Sequence, residues 1–283
     1  SNNTLNVTAN IPSFNYSNID FTNVNFTGRG TYDTLTLAGN IADVIINDSL
    51  HLPDTKIFVT AANDVSDISI KTSASKTLNE ADLSLRLQTL PDGFKLNFNP
   101  SSFVINDKKW ILEKGGELIL DKKLLTASEV KFVQNSQQII ISTGPSANGN
   151  NNDVLLDIKK IDIGDIAPFF IRSPKFEGLM TGRIKINDPF GDMTVAFVTQ
   201  IDQFRFENDS IGILKTSVSY SSATGEIIAN ASSNNSQYNF IADVTYKIKD
   251  STADQLNESL NLDRSNIHFL QKYLNTIFTG LEG

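Results

Sequence analysis

Apolar and polar side chains alternate with period two through nearly all of this 283-residue chain. Leu5, Val7, Ala9 and Ile11 are separated by Asn6, Thr8 and Asn10. The scheme recurs at Leu83, Leu85 and Leu87, at Phe94, Leu96 and Phe98, at Ile184 and Ile186, and at Phe204 and Phe206. Phe240, Ala242, Val244, Tyr246 and Ile248 extend it over a longer run. Successive side chains of a strand leave opposite faces, so such a sequence builds sheets with one dry and one wet face, as antiparallel sheets do. Turn chemistry separates the runs. Pro91-Asp92-Gly93 joins two of them as a tight hairpin, and Ser222–Gly225 and Asn234-Asn235 cut the C-terminal half into a meander. About sixteen strands are expected on this pattern. A dry face of that size is not left in water, because at ~25 cal/mol per Å² its exposure costs on the order of tens of kcal/mol. It folds into a sandwich, closes as a barrel, or curls into a trough that takes up something greasy. Period two does not choose among these.

One stretch departs from the alternation. Leu156–Gly182 reads as a strand, a short amphipathic helix and a Gly exit into another strand, and the same order starts again near the C-terminus. At an offset of 104, Leu156, Ile158, Ile163, Ile166, Phe169 and Phe170 fall on Leu260, Leu262, Ile267, Leu270, Tyr273 and Leu274. Two residues drop out, and Phe176–Leu179 then meets Phe278–Leu281. Asp162 is the expected N-cap, and Ile163, Ile166, Phe169 and Phe170 form the apolar stripe of a helix that Pro168 limits to two or three turns. Gly178 and Gly182 are expected to let the chain turn sharply back into the sheet. Helices about every hundred residues suit neither a compact sandwich nor a simple barrel, and they favour the trough. The expected fold is mainly β: an elongated, curled antiparallel or mixed sheet groove with short amphipathic helices at repeat junctions. Residues 1–143 form a first groove segment, 144–153 a flexible loop by composition, 154–259 a second unit, and 260–283 the start of a further repeat. A chain that begins at Ser1 and stops just as that repeat begins is expected to be a piece of a longer protein.

Composition narrows the function classes. An apolar content of 40% excludes wholesale disorder, and a formal charge of −8 argues against nucleic acid as a partner and against electrostatic adhesion to anionic lipid. Cysteine is absent, which removes disulfides, thiolate metal sites and a cysteine nucleophile. No apolar run of about 18 residues and no signal-peptide pattern occurs. His51 and His268 lie in unlike contexts, the first at an outward strand position and the second on the polar side of a helix. Asp64/Asp67 and Asp162/Asp165 are read as a loop charge and a helix-start charge. Asn-x-Ser/Thr triplets such as those at Asn6 and Asn230 are expected by chance in a chain this rich in Asn, Ser and Thr. Trp110, the only tryptophan, is expected as a core or rim anchor. No catalytic constellation, metal set or cofactor is expected.

The Leu156–Gly182 motif, followed by Met193–Phe197, Phe204–Gly212 and Ser217–Tyr220, resembles the TamB branch of the AsmA-like family. Asn47–Pro53, Asn63–Ser66 and Pro100–Trp110 are similar to forms in Bacteroidetes-type members. The resemblance implies a β-groove, or β-taco, polar outside and apolar inside, in a periplasmic protein tethered to the inner membrane by a segment outside this chain. It implies phospholipid or other acyl chains as cargo, and an Omp85-type outer-membrane barrel as partner of the full-length protein. The function expected is non-enzymatic carriage of phospholipid between the two membranes, in support of outer-membrane protein assembly and secretion. A chaperone-like scaffold for nascent β-strands and a surface adhesin or glycan-binding sandwich are the alternatives. The expected groove lining is Leu83, Leu85, Leu87, Phe94, Leu96, Phe98, Ile184, Ile186, Met193, Val195, Phe197, Phe240, Val244 and Tyr246, with Ile163, Ile166, Phe169 and Phe170 as a helix plug.

Overall fold

The computed structural model describes residues 4–47, 50–73, 78–146, 152–169, 171, 173–248 and 255–262. It is mainly β, with 77% of it in strands. The chain divides into two compact units, Ser1–Asn135 with Ile140–Thr143, and Ser136–Ile139 with Gly144–Gly283.

In the first unit β1 (Leu5–Tyr16), β2 (Ile19–Gly30), β3 (Thr34–Asn47), β4 (Leu50–Ala62), β5 (Val65–Thr72) and β6 (Leu78–Leu90) form an antiparallel meander. β6 then pairs with two strands at once. Leu85–Leu90 pairs with β7 (Gly93–Phe98), and Leu78–Asp82 with β8 (Ser101–Ile105). From there the sheet continues as two half-width rows. β7 leads to β10 (Glu117–Asp121) and β11 (Leu124–Ser128), whereas β8 leads to β9 (Lys108–Leu112) and β12 (Val130–Gln134). These five- and six-residue strands explain why twenty strands are described where about sixteen are expected from the pattern. A segment that short carries only two or three turns of the alternation.

β13 (Gln137–Pro145) crosses the division between the units, and β14 (Asn152–Asp162) follows. Strand structure therefore reaches Pro145 and resumes at Asn152, inside the stretch whose composition suggests a loop. In the second unit β14 pairs with β15 (Phe176–Asn187), and the meander runs on through β16 (Thr194–Phe206), β17 (Asp209–Ser221), β18 (Glu226–Asn234), β19 (Asn239–Lys247) and β20 (Gln255–Leu262).

Each unit is creased along a line of positive-φ residues, and in the second unit these are bulges. In the first unit Asn23 of β2 and Asp54 of β4 adopt φ of 47° and 48°. In the second, Lys160 of β14, Gly178 of β15, Gln203 of β16 and Gly212 of β17 have φ of 50°, 140°, 54° and 92°. The register slips at Ile158/Ile161, Glu177/Leu179 and Ile201/Phe204. A bulge inserts one extra residue and bends its strand, so bulges at neighbouring positions fold the sheet on its own apolar face. The residues flanking the creases are buried: Val24, Ile41 and Val44 in the first unit, and Ile201, Phe204, Ile211 and Leu214 in the second. Gly178 lies at a crease as its positive φ requires. Gly182 does not turn the chain, contrary to expectation. It sits inside β15 opposite Thr199, where a Cβ would lie 2.2 Å from the Val198 carbonyl oxygen.

Beside the first crease one cross-strand row is closed from end to end. Val24, Ile41 and Thr55 stand opposite one another across β2 to β4, Thr72 stands opposite Ala81 across β5 and β6, and all five are buried. The two threonines spend their hydroxyls on backbone, Thr55 Oγ1 donating to Leu52 O at 2.8 Å and Thr72 Oγ1 to Ser73 O at 3.0 Å. Ala81 continues the row to Phe103, and Phe103 to Trp110, whose rings stack at 6.2 Å. Trp110 is 2% exposed, a core anchor, and its buried Nε1 has no hydrogen-bond partner among the described residues. Its contribution is therefore volume and ring contact, offset by a desolvated N–H. Trp110→Ala is expected to cost about 3–5 kcal/mol in chemical denaturation and Trp110→Phe under about 1.5 kcal/mol, since only the second keeps most of the packing.

Candidate functional site

The side chains that leave the apolar face of each unit line up in cross-strand rows. In the first unit Gly28, Leu37, Val59, Ile68, Leu85 and Phe98 form one row from β2 to β7. Phe26, Gly39, Ile57, Ile70 and Leu83 form the next. Leu35, Ala61, Ser66, Leu87, Leu96 and Leu118 form a third, and Phe94 stands opposite Leu120 beyond it. In the second unit Leu156, Ile184, Phe197, Val218, Ala229 and Val244 make one row. Val154, Ile186, Val195, Tyr220, Ile227, Tyr246 and Leu256 make another.

The structure thus places Leu83, Leu85, Leu87, Phe94, Leu96 and Phe98 on one face of the first unit. Ile184, Ile186, Val195, Phe197, Val244 and Tyr246 share one face of the second, with Phe240 in phase with Val244, and Met193 on the turn just before β16. All fourteen are half-buried. Each is flanked by its row neighbours and keeps part of its surface accessible. The partners the sequence reading left out are the strands between: Val59, Ile68, Val218, Tyr220 and Ile227 belong to the same rows.

One end of the second unit's face is covered. At the end of β14 the backbone N–H of Asp162 donates to Gln137 Oε1 at 2.8 Å, and Asp162 caps α1 (Ile163–Ile166) by accepting from the Gly164 N–H at 3.1 Å. A single 3₁₀ turn, Ala167–Phe169, follows and contains Pro168, so the helical segment is one α turn and one 3₁₀ turn. Ile163 is buried against Ile201, Phe204, Ile211, Leu214 and Tyr238, with Phe176, Met180 and Phe240 packed beside them. Ile166 and Phe169 are half-buried, and Phe170 lies outside the described residues. Phe176 meets Phe204 and Phe206 at ring distances of 6.3 and 5.7 Å. The equivalent second-copy helix, from Ile267 to Leu274, also lies outside the described residues.

The opposite face is wet and hydrogen-bonded across strands. Ser217 Oγ donates to Asn230 Oδ1, Asn230 Nδ2 to Asp243 Oδ1, and Ser259 Oγ to Asp243 Oδ2, a ladder over four strands. Arg183 and Asp157 pair next to it, and in the first unit Arg86 holds Asp67 through two contacts of 2.8 and 3.2 Å. The Arg86 hydrogen bond draws the Asp67 carboxyl below its ordinary pKa. Asp162 is thus spent on capping and Asp67 on Arg86. His51 Nδ1 lies 3.2 Å from Asp43 Oδ2, and His268 is outside the described residues. Among the described residues no group of three or more His, Cys, Asp or Glu side chains is placed to hold a metal ion. No helix among them is long and apolar enough to cross a membrane. What the two apolar faces offer chemically is dispersion contact and exclusion of water.

No family model, no curated protein and no solved structure matches the chain.

Tyr238 OH donates to Asp209 Oδ1 at 2.9 Å, and burial, then that hydrogen bond, then the carboxylate charge, raise its pKa. A raised folded-state pKa gives stability that is present below the unfolded value of about 10 and lost as pH rises through the folded one. Tyr238→Phe is expected to cost about 1 kcal/mol at pH 7 and to flatten the loss of stability above pH ~10, measured by urea melts across that range.

Proposed function

We propose that this chain is a non-enzymatic segment of a lipid-carrying groove, in which each unit offers its half-buried apolar sheet face to acyl chains. One observation carries the reading: apolar rows run unbroken across five or more strands of each unit, yet most of their members stay half-buried. Each CH₂ removed from water contributes about 0.8 kcal/mol without requiring any directed contact. A chain lying along such rows is held in proportion to its length and slides from row to row at little cost. The wet face, with its ladder and ion pairs, stays in solvent. The resemblance of the Leu156–Gly182 motif to the TamB branch supports reading such a segment as periplasmic, within a longer protein anchored in the inner membrane, with phospholipid as cargo and an Omp85-type barrel as outer-membrane partner. Support for outer-membrane protein assembly and secretion follows from lipid supply.

A second reading has its own observation. β1 is registered with β2 along one edge, and Leu5, Val7, Phe14 and Tyr16 on it are exposed, which suits addition of an incoming β-strand by a chaperone-like scaffold. Pro12, which lacks an N–H, interrupts that edge near its middle and limits the length of any such ladder.

The conduit reading is tested with cis-parinaric acid, whose fluorescence rises in apolar surroundings. Leu85→Asp and Val195→Asp are expected to weaken binding about tenfold each, because an acyl chain then desolvates a carboxylate. Ser217→Asp on the wet face is expected to leave binding unchanged. Equal binding by all four proteins, with circular dichroism showing intact sheet, counts against the groove.

A further inference from the structure

On the wet face of the first unit Phe58 departs from the pattern, as Ile111 and Leu124 do elsewhere on that face. Lys56, Phe58 and Thr60 leave β4 on the side opposite Ile57 and Val59, so Phe58 stands among polar neighbours and is 49% exposed. Directly across from it are Ala38 on β3 and Ser69 on β5, both small, so the ring rises between two low flanks. Beyond Ala38 comes Thr27. One step along the strands, about 7 Å away, runs a second row, Asn25, Asn40, Lys56 and Lys71. Together these residues line an open concavity of about 520 Å³. Lys71 is held by Asp82 at 2.9 Å, whereas Lys56 has no ion pair among the described residues, in a chain whose formal charge is −8.

Each element of this arrangement matches one part of a sugar. An exposed ring with low flanks receives the C–H face of a pyranose. Side-chain amides and hydroxyls at strand spacing pair with ring hydroxyls as donors and acceptors. An uncommitted ammonium one step from the ring meets a carboxylate on the same or the next sugar. An acyl chain has no use for the amides or the ammonium, and a β-strand has no free backbone to pair with on a sheet face.

We propose that this concavity is a binding site for an acidic polysaccharide, with a uronate-type sugar stacked on Phe58, its carboxylate at Lys56 and its hydroxyls at Asn25 and Asn40. Phe58 and Lys56 leave the sheet on the face opposite Leu85 and Val59, and the site stands independently of the acyl-chain reading.

The test is saturation-transfer NMR of the intact chain with tetragalacturonate, an alginate-derived tetramannuronate and a hyaluronan tetrasaccharide, and with neutral maltotetraose. At least one acidic oligosaccharide is expected to bind, with transfer strongest at its ring C–H protons, and maltotetraose at least about threefold more weakly. Phe58→Ser is expected to weaken binding about tenfold or more, from lost area and ring contact. Lys56→Gln is expected to remove the preference for acidic over neutral sugar and leave weak binding of both. Ala38→Leu, which keeps Phe58 but fills its flank, is expected to abolish binding. All three positions are exposed, so thermal melts should match the unaltered chain within about 2 °C. Failure of all three acidic sugars to bind overturns the proposal. So does binding indifferent to Phe58→Ser and Ala38→Leu, or equal affinity for maltotetraose. A Phe58 ring that responds only to an extended peptide or to detergent micelles identifies an apolar docking point and overturns it equally.

Discussion

Strand geometry leaves this chain with one problem that its fold solves only in part. Side chains alternate between faces, so a sequence that alternates this way puts most of its large apolar groups on one side of each sheet. The described residues supply little to cover that side. One α turn, Ile163–Ile166, reaches the second unit's face, and it covers one end. The remaining burial is achieved by the sheet itself, which creases at its positive-φ residues so that residues on either side of the fold line meet. Val24, Ile41, Ile211 and Leu214 gain full burial that way, while the rows farther from the crease stay half-buried. A fully buried Leu, Val or Ile contributes about 1.5–3 kcal/mol. The outer rows collect only part of that, and an apolar ligand lying on them supplies the remainder.

The wet face does a different task. Its contacts are exposed ion pairs and side-chain ladders, which contribute little to stability in water. They do penalise the wrong register, because a one-residue slip would move every apolar group into solvent and every charge onto the dry face. Arg86 on Asp67 and the Ser217–Asn230–Asp243–Ser259 ladder each tie neighbouring strands at a fixed offset. Glu117 does the same between β10 and β7. Hydrogen bonds from Lys95 and then Asn97 hold its carboxyl below the ordinary range, so this tie persists at neutral pH and weakens as pH falls through the lowered value.

The face assignments were legible in the sequence because they rest only on parity. Leu83 to Phe98 and Ile184 to Phe197 share faces as their spacing requires. The creases were legible too, in a signal the alternation alone hides: Phe21 to Val24, Ile41 to Val44, Leu52 to Thr55, Ile158 to Ile161, Ile201 to Phe204 and Ile211 to Leu214 are each three apart. A phase slip of that kind is what one inserted residue leaves behind, and Asn23, Asp54, Lys160, Gln203 and Gly212 occupy the slips. Phe58 was marked by the run Ile57-Phe58-Val59, which no one-sided strand should contain. Other features depend on partners far along the chain. The forking of β6 onto β7 and β8 follows from which short strands find its two halves, and Gly182 is required by the Val198 carbonyl across the sheet, not by a turn. The helix is short because Pro168 sits in its second turn, where the amide it lacks would otherwise extend the α ladder.

The central claim is that the half-buried rows are a surface for acyl chains rather than a core awaiting completion by protein. Native mass spectrometry of the chain purified without detergent tests it most directly. The account predicts adducts at phospholipid mass that are released by collisional activation and are depleted in Leu85→Asp and Val195→Asp. A chain that flies free of lipid, alone or as a dimer that shields those rows from hydrogen exchange, would contradict it.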